Sequence, residues 1–196
     1  MENYFSASIA HVFNSIIVGL CCAKVWGTVV HHIRYREKVI FYTPYLLHIV
    51  QMHLFLLTQL LIAPKLYEHY ENNGLMFLVT LNLDMFGVLY TFLSLPSDEL
   101  LNKHIVDLEE FYVETIHIWY GLWFTWCILG GGLLVDVFPE RRHWGIIFVF
   151  FIELINLLGM LKWRNVYFHC VVHSYYLFGI LSFFAGEDLY GSYKAV

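Results

Sequence analysis

Apolar residues come in six long runs along this chain, at approximately 8–30, 39–63, 75–95, 112–137, 145–162 and 166–186. Each is close to the ~20 residues that an α-helix needs to cross the hydrocarbon core of a bilayer. The breaks between them are short and polar: HHIRYREK, PKLYEHYENNG, PSDELLNKHIVDLEEFY, PERRHWG and the turn RN. Pro64, Pro96 and Pro139 fall just past apolar runs, where proline ends a helix harmlessly, and Pro44 falls near the start of the second run. The pattern predicts an all-α fold, one domain over residues 1–196, built as a bundle of six transmembrane helices. The third break predicts a short surface helix of its own. Ser97 is its N-cap, Asp98 and Glu99 suit the first turn, and Leu101, Ile105 and Leu108 recur at helical spacing.

Composition agrees with a lipid solvent. The 196 residues are 59% hydrophobic and only 14% charged, against about 25% charged in ordinary soluble domains. Seventeen Phe, 14 Tyr and 6 Trp supply the aromatic belts that flank membrane spans. An integral, multi-pass membrane protein is expected, with lipids as its surroundings. Net charge is −5 and no basic run suits nucleic acid. Cys21, Cys22, Cys127 and Cys170 lie inside apolar runs without C-x-x-C spacing, so they read as small buried hydrophobes rather than disulfides or thiolate zinc ligands. No basic residue precedes the first apolar run, so no cleaved secretory signal is expected. Breaks one, three and five hold six Lys and Arg, and the other breaks with the C-terminus hold four. That bias places the first loop inside and both termini outside.

Polar residues recur inside the runs, three or four apart and therefore on one face of each helix. They are His48, Gln51 and Gln59 in the second; Thr80, Asp84 and Gly87 in the third; Glu114 and His117 in the fourth; Glu153 and Asn156 in the fifth; and His169 and His173 in the sixth. Measured from the first-loop side, His117 and His169 come out at roughly 5 to 8 Å, Asn156 and His173 near 9 to 11 Å, and His48, Glu153 and Asp84 near 13 to 16 Å. All share one half of the bilayer, which predicts one polar site between the helices. Asp84 and Glu153 are too deep for short side chains to reach water, so they should be paired or protonated. The expected partners of His169 and His173 are Glu114, His117, Glu153 and Asn156.

Three chemistries fit such a cluster. A divalent metal, zinc or iron, could be held by His117, His169 and His173 with Glu114 or Glu153, and could activate water against a lipid-like ester or amide. Glu114-x-x-His117 has the spacing of di-iron bundles, but those use two such motifs and one is present, so zinc is the more economical metal. Haem, with His48 and either His117 or His173 as axial ligands, explains the carboxylates less well. A proton or ion pathway through His48, Asp84, Asn156 and Glu153 is the third chemistry. Beside these stands the bland reading, a non-catalytic subunit of a larger membrane complex whose polar groups only join helices. Whether the protein is an enzyme stays open at this point. HCVVH resembles the H-x-x-x-H of membrane-embedded zinc hydrolases of the adiponectin-receptor and alkaline-ceramidase type. The likeness covers five residues, without their seven spans or early Ser-x-x-x-His, and no residue role is carried over from it.

Overall fold

The structure, a computed structural model, describes residues 2–101, 105–137 and 143–189, with side chains at most of these positions. Six long helices and one single-turn helix account for nearly all of them, about 88% helix. In chain order they are α1 (Glu2–Arg34), α2 (Thr43–Tyr70), α3 (Gly74–Leu93), the single turn α4 (Asp98–Leu101), α5 (Leu108–Val137), α6 (His143–Lys162) and α7 (Val166–Leu189). Among the described residues three stretches are long and apolar enough to cross a membrane: Ser8–Arg34, Thr43–Tyr70 and Gly74–Leu101. Val166–Leu181 is a shorter apolar helix. The protein is therefore a helical, membrane-associated one.

Side chains at the helix starts satisfy backbone N–H groups that a first turn leaves without partners. Asn73 Oδ1 accepts from Met76 N–H at 3.3 Å, and Ser97 Oγ from Leu100 N–H at 3.2 Å. Asp107 Oδ1 accepts from Glu109 and Glu110, and Asn165 Oδ1 from Tyr167 and Phe168. Pro44 sits in the first turn of α2, as its position in the sequence implied.

Two expectations of the hydrophobic pattern are corrected. Pro64 does not end the second helix, which runs on to Tyr70. Beyond the proline, Leu66, Tyr67 and Tyr70 are buried, and their packing offsets the backbone bond that proline cannot make. The surface helix expected through Leu108 is not continuous: Asp98–Leu101 form one turn, Ile105 and Val106–Asp107 are not helical, and residues 102–104 lie outside the described residues. Leu108, expected at its far end, instead opens α5 and is wholly buried. Lys103, His104, Pro139, Arg141, Arg142 and Lys194 lie outside the described residues.

Helix α2 is the hub, packing against α1, α3, α5 and α7. Its His48, Gln51, Met52, Phe55, Leu56 and Gln59 are all buried. The outward faces of the other helices are apolar, with Val12, Ile16 and Leu20 of α1 and Tyr167, Val171 and Phe178 of α7 exposed. An apolar exterior around a partly polar interior is what lipid demands of a bundle.

At one end the connections are tied together. Residues Val39–Ile40 (β1) and Val106–Asp107 (β2) form a two-residue parallel pair, Val39 opposite Val106. Lys24 of α1 donates to Asp98 of α4 at 3.0 Å. The first and third connections therefore meet on one face of the bundle.

Candidate functional site

The two histidines of VYFHCVVHSYYLFG project one turn apart from α7 toward α5 and α2. Tyr112, on the first turns of α5, puts its hydroxyl between them, 2.7 Å from His169 Nδ1 and 2.9 Å from His173 Nε2. His169 Nε2 lies 2.7 Å from the Trp163 carbonyl at the end of α6. His173 Nδ1 lies 2.7 Å from Gln51 Oε1 of α2. The result is an unbroken line, Trp163–His169–Tyr112–His173–Gln51, in which Tyr112 and His173 are fully buried and His169 is 4% exposed. His48 lies beside it. Its ring stacks on Trp119 at 3.7 Å between centroids and stands 5.4 Å from the ring of His173. Its Nδ1 is 3.4 Å from the Tyr90 hydroxyl, and its Nε2 has no partner.

Proton bookkeeping constrains this line. Both terminal atoms, the Trp163 carbonyl and Gln51 Oε1, only accept. Each of the four contacts needs one proton, while two neutral imidazoles and a phenol carry three between them. Either the line holds a fourth proton, making one ring an imidazolium, or the Gln51 amide turns over and supplies an N–H. The two arrangements satisfy the same four contacts and differ by a single proton.

Tyr112 and His169 also form part of the wall of a cleft of about 590 Å³. Its other walls come from Tyr42 of the first connection, Asp107 of the third, Met160, Leu161 and Arg164 near the fifth, and Glu114 and His117 of α5. Four carboxylates, Asp107, Glu109, Glu110 and Glu114, face one arginine there, so the rim carries net negative charge. The volume is within the range of ligand pockets, roughly 300–1,000 Å³.

The single pocket expected from the sequence is divided among several places. His169, His173 and His48 come together, with Gln51. Glu114 and His117 are exposed on the cleft side of α5 rather than bonded to the histidines. Asn156 Nδ2 donates to the Tyr176 hydroxyl at 3.3 Å, joining α6 to α7. Asp84 is elsewhere, accepting a hydrogen bond from Tyr67 of α2. The side chain of Glu153 lies outside the described residues. A shared level along the helices does not fix which way each helix face turns, so His117 stands apart from His169, His173 and His48.

These positions bear on metal and haem. Among the described residues no three His, Cys, Asp or Glu side chains come together as an ion site. All four ring nitrogens of His169 and His173 are already engaged, so a shared ion would have to displace Tyr112, Trp163 or Gln51. Trp119, face to face with His48, fills the space that a macrocycle beside His48 and His173 would need.

Tyr112 is the central residue that the sequence did not single out, because tyrosines near a span end read as interfacial aromatics. Its position five residues before His117 on α5 carried no spacing signal. No protein-family profile, curated protein sequence or solved structure matches this chain.

Proposed function

We propose that the protein is a six-span membrane protein whose Tyr112, His169 and His173 form an acid–base site for a lipid-like amphiphile held in the adjoining cleft. The observation that supports this reading is the phenol wedged between two imidazoles in the wall of a cleft of about 590 Å³. A buried phenol flanked by two imidazoles is a short proton relay. Building one merely to join α5 to α7 would take only one of those contacts.

In the loaded form the line holds a fourth proton, whose charge is shared by the two imidazoles through Tyr112 and drawn toward His169 by the acidic rim. When it rests on His173, that ring donates to Gln51 Oε1 and to the Tyr112 oxygen. Tyr112 donates to His169 Nδ1, and His169 Nε2–H points at the Trp163 carbonyl. An electron-rich ligand carbon, such as that of an enol or enamine, takes the place of that carbonyl and accepts the Nε2 proton. Tyr112 then passes its proton to His169 Nδ1 and receives the one on His173 Nε2. Three protons remain, His169 Nε2 has become an acceptor, and the positive charge has moved from His173 to the ligand. Run backward, the same steps remove a proton from the ligand. No atom travels more than a hydrogen-bond length, as relay through positioned groups requires.

The rim selects the ligand's head. Asp107, Glu109, Glu110 and Glu114 against Arg164 disfavour a phosphate and favour a cationic or hydroxyl-bearing head, with its tail along the apolar exterior. A relay that crosses the bundle is less well supported, because Phe55, Tyr90, Trp123 and Trp126 pack ring against ring beyond His48.

The test is deuterium transfer. Protein in nanodiscs containing a total membrane lipid extract is incubated in D2O, and the lipids are read by mass spectrometry. One class of uncharged or cationic lipid should gain deuterium at carbon, and Tyr112→Phe should abolish the gain. If Tyr112→Phe lowers thermal stability while no lipid gains deuterium in either protein, the network only holds helices together and the acid–base reading fails.

A further inference from the structure

Among the described side chains Asp84 is the only buried acidic one, at 6% exposure, in the stretch Gly74–Leu101 that is apolar enough to cross a membrane. No buried lysine or arginine accompanies it among the described residues. Among the described residues its hydrogen-bond donor is the Tyr67 hydroxyl. A carboxylate removed from water without an opposite charge is strongly disfavoured.

The surrounding layer is polar and underused. Ala10 of α1 packs with Ala63 and Tyr67 of α2. One turn later on the same face of α1 comes Asn14, fully buried, with neither its amide oxygen nor its amide nitrogen partnered. Thr80, one turn before Asp84 and 1% exposed, donates to the Met76 carbonyl and keeps its oxygen lone pairs free. Gln59 is level with them, because Phe55, one turn before it, meets the Gly87 position, one turn beyond Asp84. Its Nε2 is buried without a partner. Buried amides are rarely left so, and here three helices contribute to one layer.

We propose that α1, α2 and α3 bind a sodium-sized monovalent cation between Asp84 and Asn14. The valence follows from the single carboxylate, which neutralises one positive charge and not two. The ligand type follows from the donor set, since carboxylate, amide and hydroxyl oxygens suit hard cations rather than soft ones. Water retained by the ion meets the amide N–H groups of Asn14 and Gln59. The titratable groups facing this layer are Tyr67 and Tyr70 of α2; His11 of α1 is exposed, and Leu83 beside Asp84 meets apolar Leu133 of α5. The site is independent of the Tyr112 relay, from which the aromatic layer around Phe55 separates it.

The experiment compares thermal unfolding of detergent-purified protein in sodium chloride and in N-methylglucamine chloride at the same pH and ionic strength. Sodium should raise the midpoint of the wild type, and potassium should raise it less. Asp84→Asn, isosteric and neutral, should fold and show no sodium dependence, and Asn14→Leu should weaken the dependence at least tenfold in sodium concentration. Broadening of the 23Na resonance by wild-type protein, absent with Asp84→Asn, reads binding without relying on unfolding. Equal midpoints in the two salts together with no 23Na broadening overturn the proposal, including the case in which Asp84 simply carries a proton.

Discussion

At the scale of single residues, the Tyr112 hydroxyl makes two contacts that nothing else replaces. Tyr112→Phe keeps the ring and its edge contacts with Tyr42 and Trp119, at 5.1 and 5.4 Å, while removing both hydrogen bonds. Interhelical bonds in membranes are worth about 0.6 kcal/mol on average and at most ~2, so the variant should lose about 1–3 kcal/mol and remain folded. Equilibrium unfolding in mixed micelles measures this. Gln51→Glu probes the proton count instead. A carboxylate at His173 Nδ1 compensates an imidazolium, so 15N-histidine NMR should show one ring doubly protonated over a wider pH range than in the wild type. An unchanged spectrum would show that the introduced carboxyl keeps its own proton and donates it to His173 Nδ1, so that no imidazolium forms on the line. The histidines were legible in the sequence, since two of them four apart in an apolar run must share a face. Tyr112 was not, because a phenol declares a role only when its partners are known. Asp84 was grouped with the histidines by depth, and its actual partner Tyr67 was hidden in what read as a loop beyond Pro64.

At the scale of elements, the turn between α6 and α7 holds the relay's outer end. The Trp163 carbonyl that meets His169 belongs to a residue whose own N–H bonds to Gly159, and His169 N–H in turn bonds to the Asn165 carbonyl. Gly159 lets the two helices close on each other, because a Cβ there would stand 2.4 Å from Phe168 Cζ. Phe168 cannot yield freely, as its ring meets Trp163 edge-on at 4.9 Å. Gly159→Ala should therefore destabilise by about 1–3 kcal/mol, the usual range for overpacking. Combining it with Phe168→Leu should recover part of that loss, so a double-mutant cycle would show coupling rather than simple addition. Asn165→Ala removes an N-cap accepting two N–H groups and should cost about 1 kcal/mol. The six apolar runs made the helices legible. Their ends were less so, because hydropathy reports where lipid is tolerated and not where a helix stops. In α2 the buried side chains beyond Pro64 carry the helix past a residue that alone would end it.

At the scale of the whole molecule, the membrane topology rests on which connections share a face. Tyr42, Asp107 and Arg164 come from the first, third and fifth connections and line one cleft. The β1–β2 pair joins the first two of those connections directly. Odd-numbered connections gathered on one side are what six crossings require, since each crossing reverses direction. In the sequence the first, third and fifth connections hold six Lys and Arg against four in the others and the C-terminus, so the six-span proposal predicts that the cleft opens toward the cytoplasm. The orientation is tested in sealed right-side-out cells or vesicles with a membrane-impermeant maleimide. The four native cysteines are buried or half-buried and are replaced by alanine or serine to give a clean background. A cysteine at Glu37 should label only after the membrane is permeabilised, whereas one at Asn72, between α2 and α3, should label at once. The reverse result inverts the orientation and leaves the six crossings standing. Labelling of both positions from the same side would mean that α2 does not cross, and a cleft formed by loops one, three and five could not then open at a single membrane surface.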